Sequence, residues 1–327
     1  MICRQINRLF SFKIINLSRI QILKTSKIFD KYVTIFGEAK FLNISLFKLK
    51  MNYDIIRLLD KYMGVPLCFL FSIIDSLFPK GKKREIKNIL IIRFWGIGSI
   101  ILSSPTLKTI RENYPQAKIY FLTMKRNEGV YDGSNLMDEI IYYNFKNYFN
   151  VFKDFFKVIF YIRKKKIDLA IDLEHFSKFS SIVTYLSGAW ERAGFFTKGQ
   201  HREGVYTIKV PFSDYHHVVE NFLNIPLYIG LKSNSGNLVK LPVTDKEKIY
   251  INQLLEKNKV GKKDLIVGIN INSSDFAIER RWPKEKYVEL ADKILKKHPN
   301  AKIFFIGAKF DKEFVQSTID MIRDHSK

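Results

Sequence analysis

An α/β architecture of two doubly wound, Rossmann-like domains is what the chain predicts, and two matching segments carry that prediction. In the first, the apolar residues Ile89 to Ile92 run into the turn Phe94-Trp95-Gly96-Ile97-Gly98, after which Ile100, Ile101, Leu107 and Ile110 recur at helical spacing. A short apolar run bounded by glycines reads as a buried parallel strand. A helix opening at a glycine turn aims unsatisfied backbone N–H groups at whatever lies before it, a place to hold substrate. The second segment repeats the order: strand Leu265–Ile271, loop Asn272–Arg281, then a helix opened by Trp282-Pro283, where the missing proline N–H costs nothing. Each segment starts its own βα series, so the two domains are expected to face one cleft. A length of 327 residues leaves room for two cores, and 46% hydrophobic with 14% aromatic residues excludes global disorder.

Within the first domain, residues 88–230, strand Ile89–Ile92 leads to helix Ser104–Asn113, strand Lys118–Leu122 and a short strand Glu139–Tyr143. A helix from Val151 to Lys165, strand Ile167–Leu173 and helix Phe179–Leu186 follow. A glycine-containing turn, the apolar piece Val205–Val210 and a helix from His216 to Ile229, bent or broken at Pro226, complete the domain. Residues 231–243, rich in Lys, Ser, Asn and Gly, read as a linker. The second domain, 244–327, holds helix Lys246–Lys257, strand Leu265–Ile271, helix Lys284–Lys297, strand Lys302–Ile306 and helix Lys312–Asp324. That is short of the roughly four to six strands of an ordinary sheet, so this domain is expected to be truncated.

The formal charge of +23 fits either a lysine-rich composition with solvated helix faces or attraction to an anionic partner: a membrane surface, a nucleotide or nucleic acid. The two cysteines, Cys3 and Cys68, have no metal-like spacing and suit a reducing compartment. No apolar run reaches the roughly 18 to 20 residues of a spanning helix. The nearest, Met63 to Ile74, carries no charge, stops at Asp75 and is followed by Lys80, Lys82, Lys83 and Arg84. Segment 51–87 is therefore expected to associate with an anionic membrane face; the plainer reading is a core helix packed on the following domain. Residues 1–50 hold ten Lys or Arg against Asp30 and Glu38, with neither periodicity nor a continuous apolar core of the secretory kind. They are expected to be an upstream extension, with Met51 as the start.

The motif Ile92-Arg93-Phe94-Trp95-Gly96-Ile97-Gly98, the helix with Pro105 near its start, Tyr114-Pro115 and Ile119–Leu122 resemble the opening of the ADP-heptose:lipopolysaccharide heptosyltransferase-like glycosyltransferases, glycosyltransferase family 9. Asp168–Leu173 is similar to that family's third conserved strand, and Asn270–Ser274 with Arg281-Trp282-Pro283 to the start of its nucleotide-binding domain. The resemblance spans about Ile89 to Asp324. It implies a GT-B fold and inverting transfer of a sugar, heptose or related, from a nucleotide-diphosphate sugar, with no required metal or other cofactor. The implied acceptor is a lipopolysaccharide-type or other cell-envelope glycan, and the implied location is the inner face of the cytoplasmic membrane. Two departures stand out: Ser99 occupies the position of an Asp usual in the family, and the D-[ST]-G-x-x-H segment of the donor domain is absent from the sequence.

Inverting transfer needs a base for the acceptor hydroxyl, stabilisation of the departing diphosphate and a dry site. For the diphosphate, Arg281 offers a planar fork of donors, with Ser273 and Ser274 beside it; the plainer reading is a surface arginine and a serine turn. Gly96 and Gly98 shape the substrate-facing turn. Ser99 cannot accept a proton near neutral pH without its own base, so Glu174 is the candidate replacement, and His175 the alternative. Asp172, two residues before Glu174, either shares its side of the strand as a substrate ligand or bonds the adjoining loop. Asp214, His216 and His217 do not make a metal site, because adjacent histidines on a helix diverge by about 100°. A dinucleotide fingerprint would need a third glycine at Ile101. Two rival readings remain: a catalytically impaired or truncated relative acting as a membrane-associated binding protein, and a basic nucleic-acid-binding protein, for which no motif speaks.

Overall fold

The computed structural model describes residues 11–15, 53–77, 84–144, 148–232, 236–271, 273, 278–307 and 311–325. In chain order these form β1 (Ser11–Ile15), α1 (Tyr53–Tyr62), α2 (Gly64–Leu77), β2 (Asn88–Ile92), α3 (Ile97–Leu102) and α4 (Ser104–Asn113). Next come β3 (Lys118–Met124), β4 (Glu139–Tyr143), α5 (Tyr148–Lys164), β5 (Leu169–Asp172), α6 (Lys178–Leu186), β6 (Glu191–Phe196) and β7 (Ile208–Pro211). The remainder is α7 (Val218–Tyr228), α8 (Asp245–Lys257), β8 (Leu265–Asn270), α9 (Lys284–Lys297), β9 (Ala301–Gly307) and α10 (Lys312–His325). Two compact units result, Asn43–Pro242 and Met1–Leu42 with Val243–Lys327. Ser274, Lys80, Lys82 and Lys83 lie outside the described residues, as do most of residues 1–50.

The first unit is a parallel sheet ordered β4-β3-β2-β5-β6-β7. Ile89 pairs with Ile119 on one side and Leu169 on the other, so the apolar run predicted to be a buried strand sits at the centre, with Ile89 to Ile92 all buried. Chain order reverses at β2, and right-handed crossovers in the two directions put their helices on opposite faces. Accordingly α4 packs with α7, whereas α5, α6 and α2 share the other face. Leu90, Ile92, Phe94, Leu122, Tyr143 and Ile162 form its main core.

Four details depart from the sequence reading. β6 replaces a supposed turn: its Glu191, Arg192 and Gly194 hide the strand pattern, yet Arg192 is buried and the missing side chain of Gly194 leaves room for the Tyr206 ring. The run after the glycine turn is two helices, separated at Ser103. α7 continues through Pro226 to Tyr228. Pro283 stands just before α9, at its N-cap, rather than in its first turn.

In the second unit β8 runs parallel to β9, and β1 pairs antiparallel with the other edge of β9. The sheet thus has a strand that the sequence reading did not assign. Tyr287, Val288 and Ala291 of α9 and Val315, Ile319 and Ile322 of α10 bury Ile303 and Phe305.

Candidate active site

Parallel strands deliver their carboxyl ends to one edge of a sheet, where open α/β proteins bind ligands. In the first unit that edge collects Arg93 to Gly98 after β2, Lys125 to Asn127 after β3, Leu173 to Phe176 after β5 and Phe212 after β7. Gly96 adopts φ 77°, a conformation that L side chains resist, and its carbonyl accepts the N–H of Ile100 as the chain turns into α3. Gly96 and Gly98 lie at the surface, and Ser99 is half-buried in this six-residue helix. The Arg126 guanidinium lies 5.2 Å from the centre of the Trp95 ring, roofing the turn.

Behind the turn sits Glu174, fully buried. Its Oε1 accepts the N–H groups of Phe94 at 2.8 Å and Trp95 at 3.0 Å, and its Oε2 accepts Arg93 Nη1 at 3.0 Å. The same Arg93 nitrogen donates to the Leu173 carbonyl at 2.7 Å. Burial pushes the Glu174 carboxyl up from the ordinary carboxylate range, against the pull of Arg93 and the two N–H groups. Geometry here departs from the base role expected of Glu174: both oxygens are engaged by the protein and neither meets solvent. A base must reach the proton it takes. On the other side of the turn, Asn127 Nδ2 donates to the Phe94 carbonyl at 2.9 Å and to Thr123 Oγ1 at 2.8 Å, so the turn is gripped from both flanks.

Asp172, also fully buried, has different partners. Its Oδ1 accepts the Glu174 N–H at 2.9 Å; its Oδ2 accepts Ser180 Oγ at 2.8 Å, Tyr206 Oη at 2.6 Å and Arg202 Nη2 at 2.5 Å. The network ties β5 to α6 and to the 3-10 turn Glu203–Val205, so Asp172 bonds the adjoining loop, one of its two sequence readings. Arg202 sits in a polar stretch without periodicity and Tyr206 in the apolar piece Val205–Val210, where an apolar pattern gave no reason to single out its hydroxyl.

His175 stacks on Phe212 with ring centres 4.3 Å apart, and its buried Nδ1 has no hydrogen-bond partner. Burial, then the charges of Arg93 and Arg202, push its pKa down to about 4, so the ring is neutral near pH 7 and a weak proton acceptor there. His217 caps α7: its Nδ1 accepts the Val219 N–H at 3.3 Å while Glu220 accepts the His217 N–H at 3.2 Å. Among the described residues no cluster of three or more His, Cys, Asp or Glu is placed to hold a metal ion.

In the second unit Arg281 donates from Nη2 to Asp311 Oδ1 at 2.5 Å, and its guanidinium lies 4.5 Å from the centre of the Phe314 ring. It is neither a free phosphate clamp nor a solvated surface residue. Its Nε and Ser273 Oγ are buried without hydrogen-bond partners, two donors on the segments read as a nucleotide-binding loop.

No protein-family model matches the chain, and no curated protein matches it significantly in sequence. Solved structures do. A family 9 glycosyltransferase from Veillonella parvula aligns at TM-score 0.61 and 20% identity over 74% of this chain and 68% of that one. The E. coli ADP-heptose lipopolysaccharide heptosyltransferase II aligns at TM-score 0.57 and 20% identity over 74% of this chain and 70% of its own. At this identity the likeness speaks to architecture, and the chain has the α/β fold of the glycosyltransferases that its motifs resemble.

Proposed function

We propose that the chain is a glycosyltransferase that moves a sugar, heptose or related, from a nucleotide-diphosphate sugar to a cell-envelope glycan with inversion, at the inner face of the cytoplasmic membrane. The observation that carries this reading is the fold shared with the two glycosyltransferases, together with the surface glycine turn at the carboxyl edge of the first sheet. In this reading Glu174 is a positioning residue. By gripping the Phe94 and Trp95 N–H groups it fixes the turn that Gly96, Gly98 and Ser99 present to substrate. Serving as base would require it to leave that cage. His175, neutral and with Nδ1 unpartnered, orients an acceptor group, and Ser99 contributes a hydroxyl to the same rim. Arg281 and Ser273, with Ser274, hold the diphosphate, which needs donors rather than a metal.

A second reading, a binding protein that retains substrate recognition without turnover, is favoured by Ser99 in place of the family's acid and by the closed cage around Glu174. Incubating the intact chain with a panel of nucleotide-diphosphate sugars and a lipopolysaccharide-type acceptor, and measuring nucleoside diphosphate release, separates the two. Acceptor-dependent release supports the enzyme. Binding of donor and acceptor without release moves the protein to the second reading.

A further inference from the structure

Helix α2 is apolar around most of its circumference, and the described residues pack on one side of it. Its inner residues, Leu67, Cys68 and Phe71, pack against Ile182, Tyr185 and Leu186 of α6 and Val205 and Tyr206 beyond. Burial pushes the Cys68 thiol up to about 12. The helix's single charge, Asp75, also turns inward, accepting from Arg192 Nη2 at 2.6 Å. From α1, Asp60 accepts the N–H groups of Lys178 at 3.1 Å and Phe179 at 2.8 Å, capping α6 and tying the hairpin down. Outward, at spacings of three and four, stand Pro66, Phe69, Leu70, Ile73 and Leu77, with Phe69 67% and Leu77 71% exposed. Leu58, Leu59 and Tyr62 of α1 and Met63 of the junction are exposed as well.

α5 packs against the same cluster through Phe155. From Lys153 onwards its exposed residues are Lys153, Phe156, Lys157, Phe160, Tyr161, Arg163 and Lys164, aromatic and basic with no acid among them. Fourteen residues of α2 reach only about 21 Å, short of the ~30 Å hydrocarbon core, and among the described residues no helix is long and apolar enough to cross a membrane. Such a surface fits the boundary between headgroups and acyl chains: apolar side chains enter, lysines meet anionic phosphate. A second copy of the chain is disfavoured as occupant, because it would bring the same cations against themselves.

We infer that the outer face of α1 and α2, with the Phe–Lys stripe of α5, is a rigid docking surface for an anionic lipid bilayer. The inference deepens the proposed membrane-facing role and rests on it. The test is cosedimentation of the full chain with phosphatidylglycerol–phosphatidylcholine vesicles and with pure phosphatidylcholine, alongside nucleoside diphosphate binding. Wild type should bind the anionic vesicles, the triple variant Phe69→Gln, Leu70→Gln, Ile73→Gln at least tenfold more weakly, and each of Lys153→Gln, Lys157→Gln and Lys164→Gln roughly fivefold more weakly. Continued protection of the Cys68 thiol from modification in the triple variant shows that α2 is still docked. Equal vesicle binding by wild type and triple variant overturns the inference, as does a wild-type dimer that the triple variant dissolves while neither binds vesicles. Vesicle binding without nucleotide binding would leave the docking surface standing and remove the glycosyltransferase reading instead.

Discussion

The ion pairs Arg93–Glu174 and Arg202–Asp172 in the first unit and Arg281–Asp311 in the second differ in one respect that decides their use. The first two are sealed: side-chain exposures are 3% and 0% for one pair, 0% for both partners of the other. In the third, Arg281 retains 17% exposure while Asp311 keeps 2%. A sealed pair cannot trade its partner for a ligand without uncovering a charge, and removing one side leaves the other stranded in low dielectric. A pair with one open end can hand its guanidinium to a phosphate. The same residue types therefore form sealed pairs in one unit and a pair with a partly open guanidinium in the other.

The comparison breaks most visibly at Glu174. Glu174→Ala strands Arg93 and frees two N–H groups, so chemical denaturation should show a loss of about 3–5 kcal/mol. A small loss, with turnover abolished by Glu174→Gln in a stably folded protein, would return the base role to this residue. Arg281→Ala should instead weaken nucleoside diphosphate binding by roughly ten- to hundredfold, in line with the strength of charge-assisted hydrogen bonds. Calorimetry on Arg281→Ala and on Asp311→Asn sharpens the point, since releasing the guanidinium should tighten binding. Unchanged affinity in Arg281→Ala would make this pair as structural as the other two.

The effect at His175 is confined to a pH window. Its folded-state pKa, about 4, lies below the ordinary value of 6.5, so the unfolded chain takes up the proton first. The stability it contributes is complete above pH 6.5 and declines as pH falls towards 4. Denaturation midpoints across this window should fall less steeply in His175→Gln than in wild type; parallel slopes would show that the ring is not held neutral.

Much of this was legible in the sequence because it rests on local pattern. The apolar run Ile89 to Ile92 and the period of Lys284–Lys297 give strand and helix directly. β6 was not legible, since Arg192 is buried through bonds to the carbonyls of Ala189 and Val205 and to Asp75, the last far away in the chain. For the same reason Glu174 could be singled out as a carboxylate at a strand end but not as a residue turned back onto β2. Which way a side chain faces after a strand ends depends on partners some 80 residues distant.

Asp60 caps a helix 118 residues further along the chain. At about 5–20 residues per second, the ribosome needs roughly 6–24 s to supply that partner. Until then α1 and α2 are a nascent hairpin with both apolar faces uncovered, so the order of synthesis makes this an early part of the protein to need company and one that waits long for its permanent place.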